Sequence, residues 1–123
     1  MGKAFGPRGI ARLTQPTEDP ALGNISWVKY DNLSAISGQE NVSSVTTGGA
    51  GDHSITWARP FRSASSYAVA ICSSTANGFS ATTAHFASLQ SVSAASIRTR
   101  FNDYNSQAAS DPTLVFIVAI GEF

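Results

Sequence analysis

Charge is scarce in this sequence. Only 13% of its 123 residues are Asp, Glu, Lys or Arg, eight of each sign, so the formal net charge is zero. Chains that neutralise phosphates carry a basic excess, and its absence argues against nucleic acid as a partner. Cys72 is the single cysteine, which excludes an internal disulfide and a cysteine-based zinc site. It lies in YAVAIC, an apolar strand-like run, where a buried and inert thiol is expected. No apolar run approaches the length of a helical membrane span, so no membrane partner is expected. The opening MGKAFG lacks the basic-then-apolar pattern of a signal peptide. Gly6 stands where a myristoylation signal has Ser or Thr. The chain is therefore expected to be made in a cytoplasm without an export address. The Asn-x-Ser triplets at Asn24, Asn32 and Asn41 then read as products of a Ser-rich sequence.

Two compositional zones are present. Residues 1–24 hold three of the five prolines and four glycines, a density that blocks regular helix or central strand. We read them as an irregular N-terminal arm, either disordered or pinned on another chain, with Phe5, Arg8, Ile10 and Leu13 as its anchoring residues. Residues 25–123 are patterned as strands. In HSITW, Ile55 and Trp57 share a face, with His53, Ser54 and Thr56 as polar company. SYAVAICSS sets Tyr67, Val69 and Ile71 against Ala68, Ala70 and Cys72. Both faces are uncharged, so cover on both sides is expected. SIRTRF sets Ile97, Thr99 and Phe101 against Arg98 and Arg100. ATTAHFASL fits a strand or a short helix and is read as strand. About seven strands result, in an all-β, antiparallel β-sandwich.

The last strand, TLVFIVAIG, is apolar on both parities: Leu114, Phe116, Val118 and Ile120 against Val115, Ile117 and Ala119. A domain of this size covers one such flank easily and the second only with another layer or another subunit.

GGAG, residues 48–51, has the look of a phosphate loop. It lacks the Lys and the following helix that such a loop needs, and G-x-G-x-x-G is absent. Between NVSSVTT and HSITW it reads as a hairpin turn. Val42 and Val45 differ in parity, so the first arm must bulge or begin between them.

Residues for chemistry are few. His53 and His85 have no acidic neighbour in HSIT or AHFA, and neither a metal site nor a cofactor site is expected. A Ser-His-Asp set is available by count, with Asp52, Asp103 and Asp111, but there is no nucleophile elbow. No spacing favours paired carboxylates such as Glu40, Asp52 or Asp103. Catalysis is therefore not expected. Arg98 and Arg100 on one face suit either an anionic sugar or partner carboxylate, or a plain solvated face. The loop FNDYNSQAASD places Tyr104 and Asn105 together, a composition found in carbohydrate-binding loops and in ordinary long turns.

The order ISWVKYDNL, NVSSVTTGGAGDHSITWARPF, SYAVA, SIRTRF and DPTLVFIVAIG resembles a β module of tailed-phage virion proteins, found in tail fibres and tail-associated structural proteins. Trp27, Val28, Tyr30, Asn41 to Thr46, Gly51, Asp52, Tyr67, Arg98 and Val118 to Gly121 carry the likeness, over about the last hundred residues. Trp57 and Arg59 depart from it, and the stretch around His85 has no counterpart. The resemblance implies a non-enzymatic virion protein, homotrimeric, in a tail fibre or adhesin contacting a host glycan or protein. The arm would bind other virion proteins. A capsid decoration or head-fibre protein is the alternative, and a carbohydrate-binding or polysaccharide-degrading protein is a third reading.

Overall fold

The fold is known from a computed structural model that describes residues 24–74 and 85–123. The arm residues Phe5, Arg8, Ile10 and Leu13, and residues 81–84 of the ATTAHFASL stretch, lie outside the described residues. Eight strands run in chain order among those described: β1 Asn24–Asp31, β2 Ile36–Glu40, β3 Val42–Gly49, β4 Asp52–Trp57, β5 Tyr67–Ser74, β6 His85–Val92, β7 Ser96–Asp103 and β8 Leu114–Gly121. They form two antiparallel sheets, β2-β1-β8-β5 and β3-β4-β7-β6. The expected sandwich is present with one strand more than anticipated. The extra strand is β2, which sequence pattern hides because ISGQE has neither alternation nor β-branched density.

Period-two burial builds the core. Val28 and Tyr30 of β1, Ile55 and Trp57 of β4, Ile97 and Phe101 of β7, and Val115 and Ile117 of β8 are all buried. The parity conflict in β3 resolves as a bulge between Val42 and Ser44, which lets Val42 face Trp57 and Val45 face Ile55. One end of the sandwich is closed by aromatic rings. Phe61 stacks on Tyr67 with centroids 4.1 Å apart, and Trp57 meets both edge-on. The Tyr67 hydroxyl donates to the Ser93 carbonyl at 2.7 Å, tying the first sheet to the β6–β7 turn.

Asn41 makes the corner between the sheets. It adopts a positive φ of 59°, a conformation that Asn tolerates better than most residues. Its side chain donates to Ser26 Oγ at 2.8 Å and accepts from the Arg59 N–H at 2.6 Å. The strand pair β3–β4 confirms the hairpin reading of GGAG. Gly51 carries a φ of 73°, and a Cβ there would collide with the Phe101 carbonyl oxygen. Its N–H is donated to Asp111 Oδ1 at 2.7 Å, and its carbonyl accepts from Phe101 N at 2.8 Å. With that N–H taken by a side chain of the same molecule, the glycine turns the chain and docks it on β7.

Two expectations for β5 are corrected. Ala68, Ala70 and Cys72 point away from the core and are exposed. The strand is the outer edge of its sheet, and no described element of the same chain covers its outward face. Within the single chain Cys72 is thus not a buried thiol.

Candidate functional site

Three places concentrate unusual side chains. The first is a buried polar chain where β1, β4 and the β7–β8 connection meet. His53 shares parity with Ile55 and Trp57, so it points into the core and is buried. Sequence grouped it with the polar company of that strand; the register places it on the apolar face. Its Nδ1 lies 2.7 Å from the Tyr30 hydroxyl and its Nε2 lies 2.9 Å from Asp111 Oδ1. An ionised carboxylate only accepts, so a ring with one proton holds it on Nε2 and donates to Asp111. The Tyr30 hydroxyl then donates to Nδ1. Asp111 comes from 58 residues away in the chain, beyond any local window, while Asp52, the acid next to His53 in sequence, pairs with Arg98. Burial, and then the charge of Asp111, push the Tyr30 hydroxyl well above the ordinary tyrosine range. Tyr30 and His53 are buried, while Asp111 is 29% exposed. This hydrogen-bonded chain clasps three parts of the fold.

The neighbouring residue Ser110 accepts or donates a 3.1 Å hydrogen bond with His85 Nε2 on β6. A serine beside an imidazole is the first half of a nucleophilic pair, but an orienting acid is also needed. Asp103, opposite His85 in the β6–β7 register, accepts at Oδ1 from the backbone N–H groups of Asn105 and Ser106. Those bonds hold its carboxyl below the usual carboxylate range, and it serves the turn rather than the imidazole.

The second place is the outer face of the sheet β3-β4-β7-β6. Arg98 and Arg100 point outward as expected. Arg98 is committed: its Nε and Nη2 donate to the two carboxylate oxygens of Asp52 at 2.8 and 2.7 Å. This fork lowers the Asp52 pKa and raises that of Arg98. Arg100 lies opposite Asp52 in register. Tyr104 and Asn105 occupy the exposed tip of the loop after β7, which Asp103 organises through the two backbone bonds already described. The arginines and this tip are brought to the same strand, β7, without converging on a pocket. Among the described residues no three His, Cys, Asp or Glu side chains gather as a metal site.

The third place is the outer face of the sheet β2-β1-β8-β5, and it is apolar. The β1–β8 register sets Ile25 opposite Ile120 and Trp27 opposite Val118. The β5–β8 register sets Ala70 opposite Val118 and Cys72 opposite Phe116. Trp27 and Phe116 stack with centroids 6.0 Å apart at 27°. Phe116 is 41% exposed, Ile120 48% and Ile25 53%, whereas Ile117 on the inner flank is fully buried. The two-sided character read from TLVFIVAIG is therefore real, and no described element covers the outer flank. Sequence reasoning singled out β8 alone. The contributions of Ile25 and Trp27 became visible only through strand pairing.

The chain matches no family model, no curated protein and no solved structure.

Proposed function

We propose that this chain is a non-enzymatic structural protein of a bacteriophage virion that works as a homo-oligomer, a trimer by the resemblance, in a tail fibre or adhesin that touches the host surface. The outward apolar flank of β8 carries this reading. A chain that leaves Phe116 and Ile120 in water as a monomer gains by association with other chains, as virion components do. The likeness of its strand order to tail-associated modules supports the same class. The loop tip at Tyr104 and Asn105, with the neighbouring Arg100, is the surface this reading assigns to a host glycan or protein. Residues 1–24 are its anchor to other virion proteins.

Antibody labelling followed by cryo-electron microscopy of particles that encode the chain tests the proposal. Label on the tail is the expected result. Label on the capsid lattice would instead favour a decoration or head-fibre role, and particles lacking the protein would overturn both. Shortening of host polysaccharide by the purified chain would overturn the non-enzymatic assignment.

A further inference from the structure

We infer that the outer face of β1, β8 and β5 is the surface through which copies of this chain associate, its occupant being a second copy of the same chain. The inference rests on the assembled reading above and adds which surface does the assembling.

The two sides of the sandwich differ in kind. A sheet face that meets water alternates apolar-in and polar-out. The central strands of the β3-β4-β7-β6 sheet obey this: Ser54 and Thr56 of β4 and Arg98 and Arg100 of β7 point outward, opposite Ile55 and Ile97, and the exposed large apolar side chains of this sheet are confined to Phe86 and Leu89 of its edge strand β6. The other sheet breaks it on two neighbouring strands, β8 and β5, and on half of β1. The uncharged stretch is contiguous because the register aligns Ile25, Ile120 and Ala68 in one row and Trp27, Val118 and Ala70 in the next.

Extent and composition fit a protein partner. Three eight-residue strands, about 4.8 Å apart and near 26 Å long, make a flat face of roughly 370 Å² before side-chain relief. That is about half of the roughly 800 Å² that each partner contributes to an ordinary stable interface. Trp27 is the central aromatic and it is held in place. A Cβ on Gly38 of β2 would stand 2.9 Å from the Trp27 ring, so the glycine leaves the ring room to lie across its neighbour strand while Phe116 backs it from the other side. Rigid, partly buried aromatics of this kind anchor protein contacts.

Charge selects a second copy among protein partners. The outward face carries Lys29, Asp31 and Glu40; Asp31 Oδ1 is taken by the Leu33 and Ala35 N–H groups, and the register sets Lys29 opposite Gly38 and Glu40 opposite Trp27. One charge of each sign flanks the tryptophan. A strongly acidic or basic partner finds only half a match, whereas an identical chain carries both signs, so that the Glu40 of one copy meets the Lys29 of the next around a closed ring.

Cys72, the only cysteine, lies on this face opposite Phe116 and reports on its cover. The full chain is examined by sedimentation across a dilution series, with the rate of Cys72 reaction with a thiol reagent measured at each concentration. The expected result is an oligomer with protected Cys72 that becomes reactive as dilution yields monomer. Phe116→Asp and Ile120→Lys each give a folded monomer in which Cys72 reacts at least about tenfold faster, access rather than thiol chemistry having changed. Ser88→Asp, on the exposed face of the other sheet, leaves assembly unaltered. Lys29→Glu weakens association, and adding Glu40→Lys restores it.

A monomer with freely reactive Cys72 at the highest concentration would overturn the inference. So would protection that is independent of concentration in a monomer, which would mean cover by the chain's own remaining residues. An oligomer that survives Ile120→Lys with Cys72 still reactive would place the contact elsewhere. Should Phe116→Asp fail to fold, Ile120→Lys and the unsubstituted chain still decide the matter. A soluble monomer that is nonetheless found on virions sinks this surface without touching the virion assignment.

Discussion

His53 has both ring nitrogens engaged inside the core, and each partner comes from a different strand or loop. Removing one partner leaves a buried polar atom unpaired, at a cost of about 1–3 kcal/mol. Asp111→Ala strands two donors at once, the His53 Nε2–H and the Gly51 N–H, and is expected to cost more than Tyr30→Phe. Asp111→Asn, which keeps an acceptor oxygen, should recover part of the loss. Urea denaturation of the three variants checks the order, and a loss below about 0.5 kcal/mol for Asp111→Ala would show that the chain is not a clasp. Tyr30 also makes an alkaline prediction. Its folded pKa lies above that of an unfolded tyrosine, so its stabilisation is complete below about pH 10 and is lost as pH rises beyond it. Tyr30→Phe should flatten that alkaline decline in the denaturation midpoint. If both proteins lose stability in parallel, the buried hydroxyl is not the cause.

Within β8 the two flanks do separate work, and adjacent residues should separate in their effects. Ile117→Ala empties a fully buried site and is expected to cost about 2–5 kcal/mol. Phe116→Ala, one residue earlier and outward, should change the stability of the isolated monomer by less than about 1 kcal/mol. Equal losses at the two positions by chemical denaturation of monomer would mean that the outer flank already belongs to a packed interior. The β3–β4 hairpin offers a parallel contrast. Gly51 combines positive φ with backbone against its α-carbon, so Gly51→Ala should destabilise, whereas Gly49, with open space around it, should accept alanine with little change. Comparable thermal midpoints for the two variants would argue that the turn can shift away from β7.

Taken as a whole, the molecule carries its contiguous apolar surface on one sheet and its Asp52–Arg98 ion pair on the other, with Lys29 and Glu40 at the margin of the apolar face. Its pH response therefore comes largely from two aspartates of the polar sheet and its loop. Asp52 is held below the usual carboxylate range mainly by its hydrogen bond to Arg98, and Asp103 mainly by the Ser106 N–H. Depressed folded values stabilise the protein fully above the unfolded carboxyl range, near pH 4, and that contribution is lost as pH falls through the folded values. Both carboxylates are partly exposed, so the decline should be shallow and screened by salt. Arg98→Gln should reduce its slope, and a profile unchanged by Arg98→Gln would assign the acid response to other groups.

Periodicity was enough to read the fold class, the hairpin at GGAG, the bulge between Val42 and Val45, and the double-sided β8. Each follows from the strict alternation of side chains along a strand. The same local logic overlooked β2, buried Cys72 in expectation, and left His53 among polar company. Those outcomes depend on where a strand sits in its sheet and on what lies opposite it, and neither is encoded within a short window. The pairing of Arg98 with Asp52, and of His53 with Asp111, joins residues far apart in sequence. Sequence by itself therefore determined which faces are apolar. Only the tertiary structure decided which of those faces meet each other inside and which is left outward, because burial belongs to the arrangement of whole sheets.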